Sequence, residues 1–169
     1  MDNKAEIKKG NKILPKRVTI ETVFGCNADC VMCVINKPTK RKKGIMPFDM
    51  FKSIVDSLVP YRDSLEMMDL YSLGEPLLDP YIFERIKYVK KNNFRNIGIS
   101  TNAVLLNYEK QRKLLETEID TVIFSIDGVK KETHEKIRRG INFDQVMENC
   151  LSIIRMRNDQ NYKTRFVIR

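Results

Sequence analysis

Three of the four cysteines fall within one short run, Cys26-Asn27-Ala28-Asp29-Cys30-Val31-Met32-Cys33. Thiolates at that spacing on one tight loop can hold three irons of a four-iron cubane and leave the fourth iron open to a further ligand. A structural zinc site asks instead for four closed ligands, usually as two separated pairs. Cys26, Cys30 and Cys33 therefore read as ligands of a reactive iron–sulfur site. The competing arrangement is three of four zinc ligands, with Cys150 or His134 completing the set. Four cysteines could also form two disulfides in a secreted protein, but three crowded into one loop make that pairing awkward and favour metal binding in a reducing compartment.

Such a loop needs a scaffold, and strand and helix patterns alternate on both sides of it. Residues 18–24 are expected as a strand running straight into the cysteines. Phe51, Ile54, Val55 and Leu58 follow at helical spacing, and residues 65–71 form the next apolar strand. Asp79 reads as a helix N-cap with Pro80 at the first helical position, and Ile82, Ile86 and Val89 supply the buried stripe. Ile97–Thr101 is the third expected strand, and Asn107 is expected to cap a helix reaching about residue 117. Residues 121–127 form the fourth strand. Phe143, Val146, Met147, Cys150, Ile153 and Ile154 share one helical face, and Arg165–Ile168 begins a fifth strand. Repeated βα units imply an α/β fold with a parallel sheet, helices outside and right-handed crossovers. The expectation is a partial TIM-like (βα) barrel, incomplete at the C-terminus, over residues 16–169, behind a basic leader of residues 1–15.

Composition bounds the function. With 42% hydrophobic and 31% charged residues in 169, the chain is expected to bury one ordinary core. No window approaches the roughly 20 apolar residues of a membrane helix, and the lysine-rich start has no apolar stretch of signal-peptide type. A cytoplasmic location and no membrane partner are expected. The net charge of +9 could draw nucleic acid, an anionic substrate or an acidic partner. Its densest run, Lys40-Arg41-Lys42-Lys43 after Lys37, carries no interleaved aromatic to stack on bases, so its ordinary reading is a solvated loop. Nucleic acid is not the expected partner. A zinc-stabilised, basic nucleic-acid-binding module is the alternative reading.

Further motifs extend beyond the cysteine loop. Gly74-Glu75-Pro76 follows the second strand and Ser125-Ile126-Asp127-Gly128 the fourth, within the stretches LYSLGEPLLDP, ISTNAVLL and FSIDGVKKETHEKIRRG. With the cysteines these resemble the radical S-adenosylmethionine (SAM) superfamily, and within it the branch with a C-terminal auxiliary-cluster (SPASM-type) domain. The resemblance covers roughly residues 16–169. It implies a 4Fe-4S cluster and S-adenosyl-L-methionine as cofactors, and an enzyme that cleaves the sulfonium reductively to a 5′-deoxyadenosyl radical, which takes hydrogen from an unidentified peptide, protein or small molecule. It also implies an electron donor such as flavodoxin or ferredoxin. The family's barrel usually has six βα units, so a truncated piece, including one that is inactive alone, is implied too.

The same resemblance assigns cofactor-binding positions. Gly74 and Glu75 match the motif that binds the methionyl amino group, with Leu73 where the family often has a first glycine. Ser125 matches the position that bonds the cofactor's ribose or carboxylate, Thr101 and Asn102 line the pocket, and Met32 stands where an aromatic often meets adenine. Arg138 could fork onto a carboxylate. Each has an ordinary counterpart: a strand-ending turn at Gly74-Glu75-Pro76, a gap-filling core methionine at Met32 and an Asx-type cap at Asp127. Cys150 is expected as a buried inert thiol, and His134 as a surface or helix-packing residue.

Overall fold

The computed structural model describes residues 14–169, so the leader expected for residues 1–15 lies, except for Leu14 and Pro15, outside the described residues. Five strands form one sheet in chain order: β1 (Arg17–Thr19), β2 (Met67–Asp69), β3 (Ile97–Thr101), β4 (Thr121–Phe124) and β5 (Arg165–Ile168). Every adjacent pair is parallel. The crossovers carry α1 (Phe48–Leu58), α2 (Ile82–Lys91), α3 (Tyr108–Leu115), α4 (Lys131–Ile137) and α5 (Phe143–Asp159). Parallel neighbours cannot be joined by tight turns, so each connection must span the sheet, and a helix does so while covering one face. This is the α/β, partial TIM-like barrel that the alternating pattern predicts.

Packing follows the stripes. Met68, Leu70, Ile97, Ile99, Val122 and Phe124 are buried on the sheet, facing Phe51 and Val55 of α1, Ile86 and Val89 of α2, Leu114 and Leu115 of α3, and Val146 and Ile153 of α5. Each such side chain contributes about 1.5–3 kcal/mol by leaving water. Asn107 caps α3 by accepting the Lys110 N–H at 3.0 Å, and Asn142 caps α5 in the same way from Gln145 at 2.9 Å. Among the described residues no helix is long and apolar enough to cross a membrane.

Two local expectations are corrected. Residues 18–24 do not form one strand: β1 ends at Thr19, and Val23–Phe24 turn away to pair antiparallel with Gly44–Ile45. The chain thus returns beside itself on the far side of the cysteine loop. Pro80 is not the first residue of α2, which begins at Ile82. Asp79 still accepts the Tyr81 N–H at 2.9 Å, but its other oxygen takes Arg85 Nε at 2.7 Å in a fully buried ion pair.

Candidate active site

Cys26, Cys30 and Cys33 lie in a loop at the carboxyl ends of the strands and line one cavity of about 470 Å³ with Tyr71, Ser100 and Ser125. All three are free, Cys30 buried and the other two half-buried. The loop is tied down at several points. Glu75 N–H donates to Gly25 O at 2.8 Å, Asn36 Nδ2 to Ala28 O at 2.7 Å and Val31 N–H to Ile137 O at 2.9 Å. Asp29 and Cys30 also pair antiparallel with Arg139 and Arg138, just after α4.

Each sulfur has a donor beside it. Cys26 Sγ faces Ala28 N–H at 3.4 Å and Asn102 Nδ2 at 3.9 Å, Cys33 Sγ faces Ile35 N–H at 3.5 Å, and Cys30 Sγ faces Arg138 Nη1 at 3.8 Å. Burial pushes the Cys26 thiol up, and Cys30 likewise, opposed there by the Arg138 charge. Neither Cys150 nor His134 lines this cavity. Among the described residues no three His, Cys, Asp or Glu side chains gather around a single metal-ion position. A larger open cavity of about 610 Å³ lies at the opposite strand ends, around Lys90, Asp120 and Lys163, and contains none of the cysteines.

Gly74 is required by close approach. A Cβ built there would stand 2.1 Å from Val23 O and 3.0 Å from Gly25 O, so this segment lies directly on the backbone entering the cysteine loop. Gly74→Ala is expected to cost at least about 1–3 kcal/mol, as overpacking does, read as a lower urea midpoint; an unchanged midpoint would mean that the two segments separate freely. Glu75 is buried, and its carboxylate accepts three protein donors: Leu77 N–H at 3.0 Å and Thr101 Oγ1 at 2.7 Å on Oε1, and Asn102 N–H at 2.8 Å on Oε2. Burial pushes its carboxyl above the usual range, and those three bonds oppose the shift. The side chain is thus a strut between the strand ends of β2 and β3.

Thr101, expected to line the pocket, is buried and does not line this cavity; its hydroxyl donates to Glu75. Ser125 lines the cavity and shares a 3.1 Å hydrogen bond with Ser100. Met32 is 54% exposed on the rim, not tucked into the core. Asp127 pairs with the Arg138 guanidinium, and both face the cavity. His134 is fully buried, with its ring 5.2 Å from that of Phe143, which corrects the surface reading and keeps the helix-packing one. Cys150 is buried on α5 and its thiol is pushed up to about 12 by burial.

Sequence reasoning gave Asn102 less weight than the structure does. Its side chain reaches Cys26 and Asn27, and it precedes Ala103, whose φ of 62° is left-handed, a conformation that costs an alanine about 1–2 kcal/mol. The only available signal was its place at a strand end. The contact of Arg138 with Cys30 had no signal, because 108 positions separate the two.

Comparison with known proteins places this geometry. The profile described as the Radical SAM superfamily matches residues 20–165. The tungsten-containing aldehyde ferredoxin oxidoreductase cofactor-modifying protein of Pyrococcus furiosus is 34% identical over 112 residues, 66% of this chain and 31% of that protein. Among solved structures, anSMEcpe with bound AdoMet superimposes with a TM-score of 0.69 at 25% identity, covering 91% of this chain and 43% of that one. Streptococcus suis SuiB bound to its precursor peptide SuiA gives 0.72 at 15% identity, covering 92% and 32%, a likeness of fold. The chain spans about a third of the length of the curated relatives it matches. The superfamily's cofactors are a 4Fe-4S cluster and S-adenosylmethionine. With the profile matched from the residue after β1 to the first residue of β5, the chain belongs to the radical SAM superfamily.

Proposed function

We propose that residues 16–169 are the cofactor-binding core of a radical SAM enzyme in which Cys26, Cys30 and Cys33 hold the 4Fe-4S cluster. The observation that carries this is the set of three free thiols on one anchored loop, all facing one cavity at the carboxyl ends of a parallel sheet. The donor set fits the group: soft sulfur ligands, each with an N–H beside it, the environment in which cluster thiolates are stabilised. When bound, cluster and S-adenosylmethionine together supply a carbon-centred radical that takes hydrogen from substrate.

The chain's own residues hold and orient. Gly74 keeps the second strand's end low against the cysteine loop, and Glu75, with Thr101, fixes the neighbouring strand end. Ser125, with Ser100, offers hydroxyls that both donate and accept. The Arg138 guanidinium, with Nε toward Asp127 and Nη1 toward Cys30, offers its remaining N–H groups to a carboxylate. Met32 gives an adaptable apolar surface on the rim for a flat ring. The substrate is an unidentified peptide, protein or small molecule, with the SuiB complex as precedent for a peptide. The electron donor is a reduced carrier such as flavodoxin or ferredoxin.

The test is anaerobic purification and reconstitution, followed by incubation with S-adenosylmethionine and a chemical reductant. Near-stoichiometric four-iron loading and formation of 5′-deoxyadenosine are expected. Colourless protein, or stoichiometric zinc, overturns the assignment. Cluster loading without 5′-deoxyadenosine would restrict the chain to cluster binding.

A further inference from the structure

We infer that Asn102 is a positioning residue that presents a side-chain N–H to the Cys26 sulfur and so sets the reduction potential of the cluster; this rests on the functional reading above. Asn102 Oδ1 accepts the Val104 N–H at 3.1 Å, which orients the amide and turns its nitrogen toward the cysteine loop. That nitrogen lies 2.8 Å from Asn27 Oδ1 and 3.9 Å from Cys26 Sγ. One amide thus ties the loop and serves the thiol.

The Asn27 oxygen stands 4.0 Å from the same sulfur. A thiol can donate to it, but an iron-bound thiolate has no proton to give and meets only an acceptor. Asn102 supplies a donor to both groups at once.

The backbone around Asn102 is held for this task. Its N–H is fixed by Glu75 Oε2 at 2.8 Å, Thr101 holds the other carboxylate oxygen, and Asn149 Nδ2 grips Ala103 O at 2.8 Å next to the left-handed turn. The buried Glu75 therefore acts on the cysteine loop through Asn102. Hydrogen bonds to cluster sulfurs favour the reduced, more negative state and raise its potential. Loss of the Asn102 donor moves the potential in the negative direction.

The experiment compares the anaerobically reconstituted chain with Asn102→Asp, Asn102→Ser and Asn36→Ala. Asn36 anchors the same loop through Ala28 O at 2.7 Å and is a control for loosening of the loop. Circular dichroism, iron per chain and the cluster's midpoint potential are read for each. The expected result is native circular dichroism in both Asn102 variants, a more negative potential in those that load iron, and the wild-type potential in Asn36→Ala. Loss of iron from both folded Asn102 variants, with Asn36→Ala loaded, also supports the positioning role. Wild-type potentials in the Asn102 variants overturn the inference, as does an equal shift in Asn36→Ala or loss of fold in both Asn102 variants. Failure of the wild-type chain to load iron overturns the functional reading instead.

Discussion

Cys30→Ala is expected to abolish iron loading, whereas Cys150→Ala leaves it intact. Cys30 lies at the centre of the loop, paired across to Arg138 in a two-residue ladder and facing the cavity shared with Cys26 and Cys33. Two remaining thiolates cannot hold three irons of a cubane. Cys150 packs on α5 among Val146 and Ile153, away from that cavity, with a thiol so suppressed by burial that no thiolate forms near neutral pH. Its loss removes one small apolar contact, a packing cost of about 1 kcal/mol, without touching a ligand. Iron and sulfide per chain after anaerobic reconstitution, with the visible charge-transfer absorption, separate the two variants. Equal loss in both would refute the three-cysteine assignment, and full retention in Cys30→Ala would move the ligand set elsewhere.

The contrast between these cysteines was legible in the sequence for a physical reason. Close spacing puts Cys26, Cys30 and Cys33 on one loop, and the position of Cys150 among Val146, Met147 and Ile153 reports a buried helical face. The helix caps at Asn107 and Asn142 are also local chemistry, a side chain meeting a backbone N–H three residues on. What escaped was long-range. The alternation of residues 18–21 runs past Thr19 and breaks at Glu21-Thr22, but nothing in it names Gly44 and Ile45 as the partners that Val23 and Phe24 take. The ladder between Asp29–Cys30 and Arg138–Arg139 is equally silent, since two residues of pairing leave no period to detect. The three donors that the Glu75 carboxylate accepts, from Leu77, Thr101 and Asn102, are equally silent in the sequence, because Thr101 and Asn102 come near only once the strand ends converge. His134 sits in a charged segment and is buried because α4 lies against Phe143 of α5.

A buried ion pair in the core carries a second large effect: Arg85→Met is expected to lower the unfolding free energy by about 3–5 kcal/mol, the range for breaking a buried ion pair from one side. Both side chains of the Arg85–Asp79 pair are inaccessible to solvent. The guanidinium also donates to Met46 O and lies 4.9 Å from the Phe51 ring centroid and 5.4 Å from that of Phe48. Removing the cation strands the Asp79 carboxylate in the core and leaves Met46 O without that donor. Domains of this size are stable by only about 5–15 kcal/mol in total, so urea unfolding should show a clearly lower midpoint at similar slope. Asp79→Asn placed in the Arg85→Met background should recover part of the loss, because it neutralises the orphaned charge. The damage should spread toward the active site, since Met46 N–H donates to Thr22 O at 2.8 Å, and Ile45 and Gly44 pair with Val23 and Phe24 at the entrance to the cysteine loop. Hydrogen exchange at Val23 and Met46 should therefore quicken more than at Ile99 and Val122 in the sheet. A loss under 1 kcal/mol, or no recovery in the double variant, would show that Asp79 escapes its burial when Arg85 is gone and that the pair does not brace the loop.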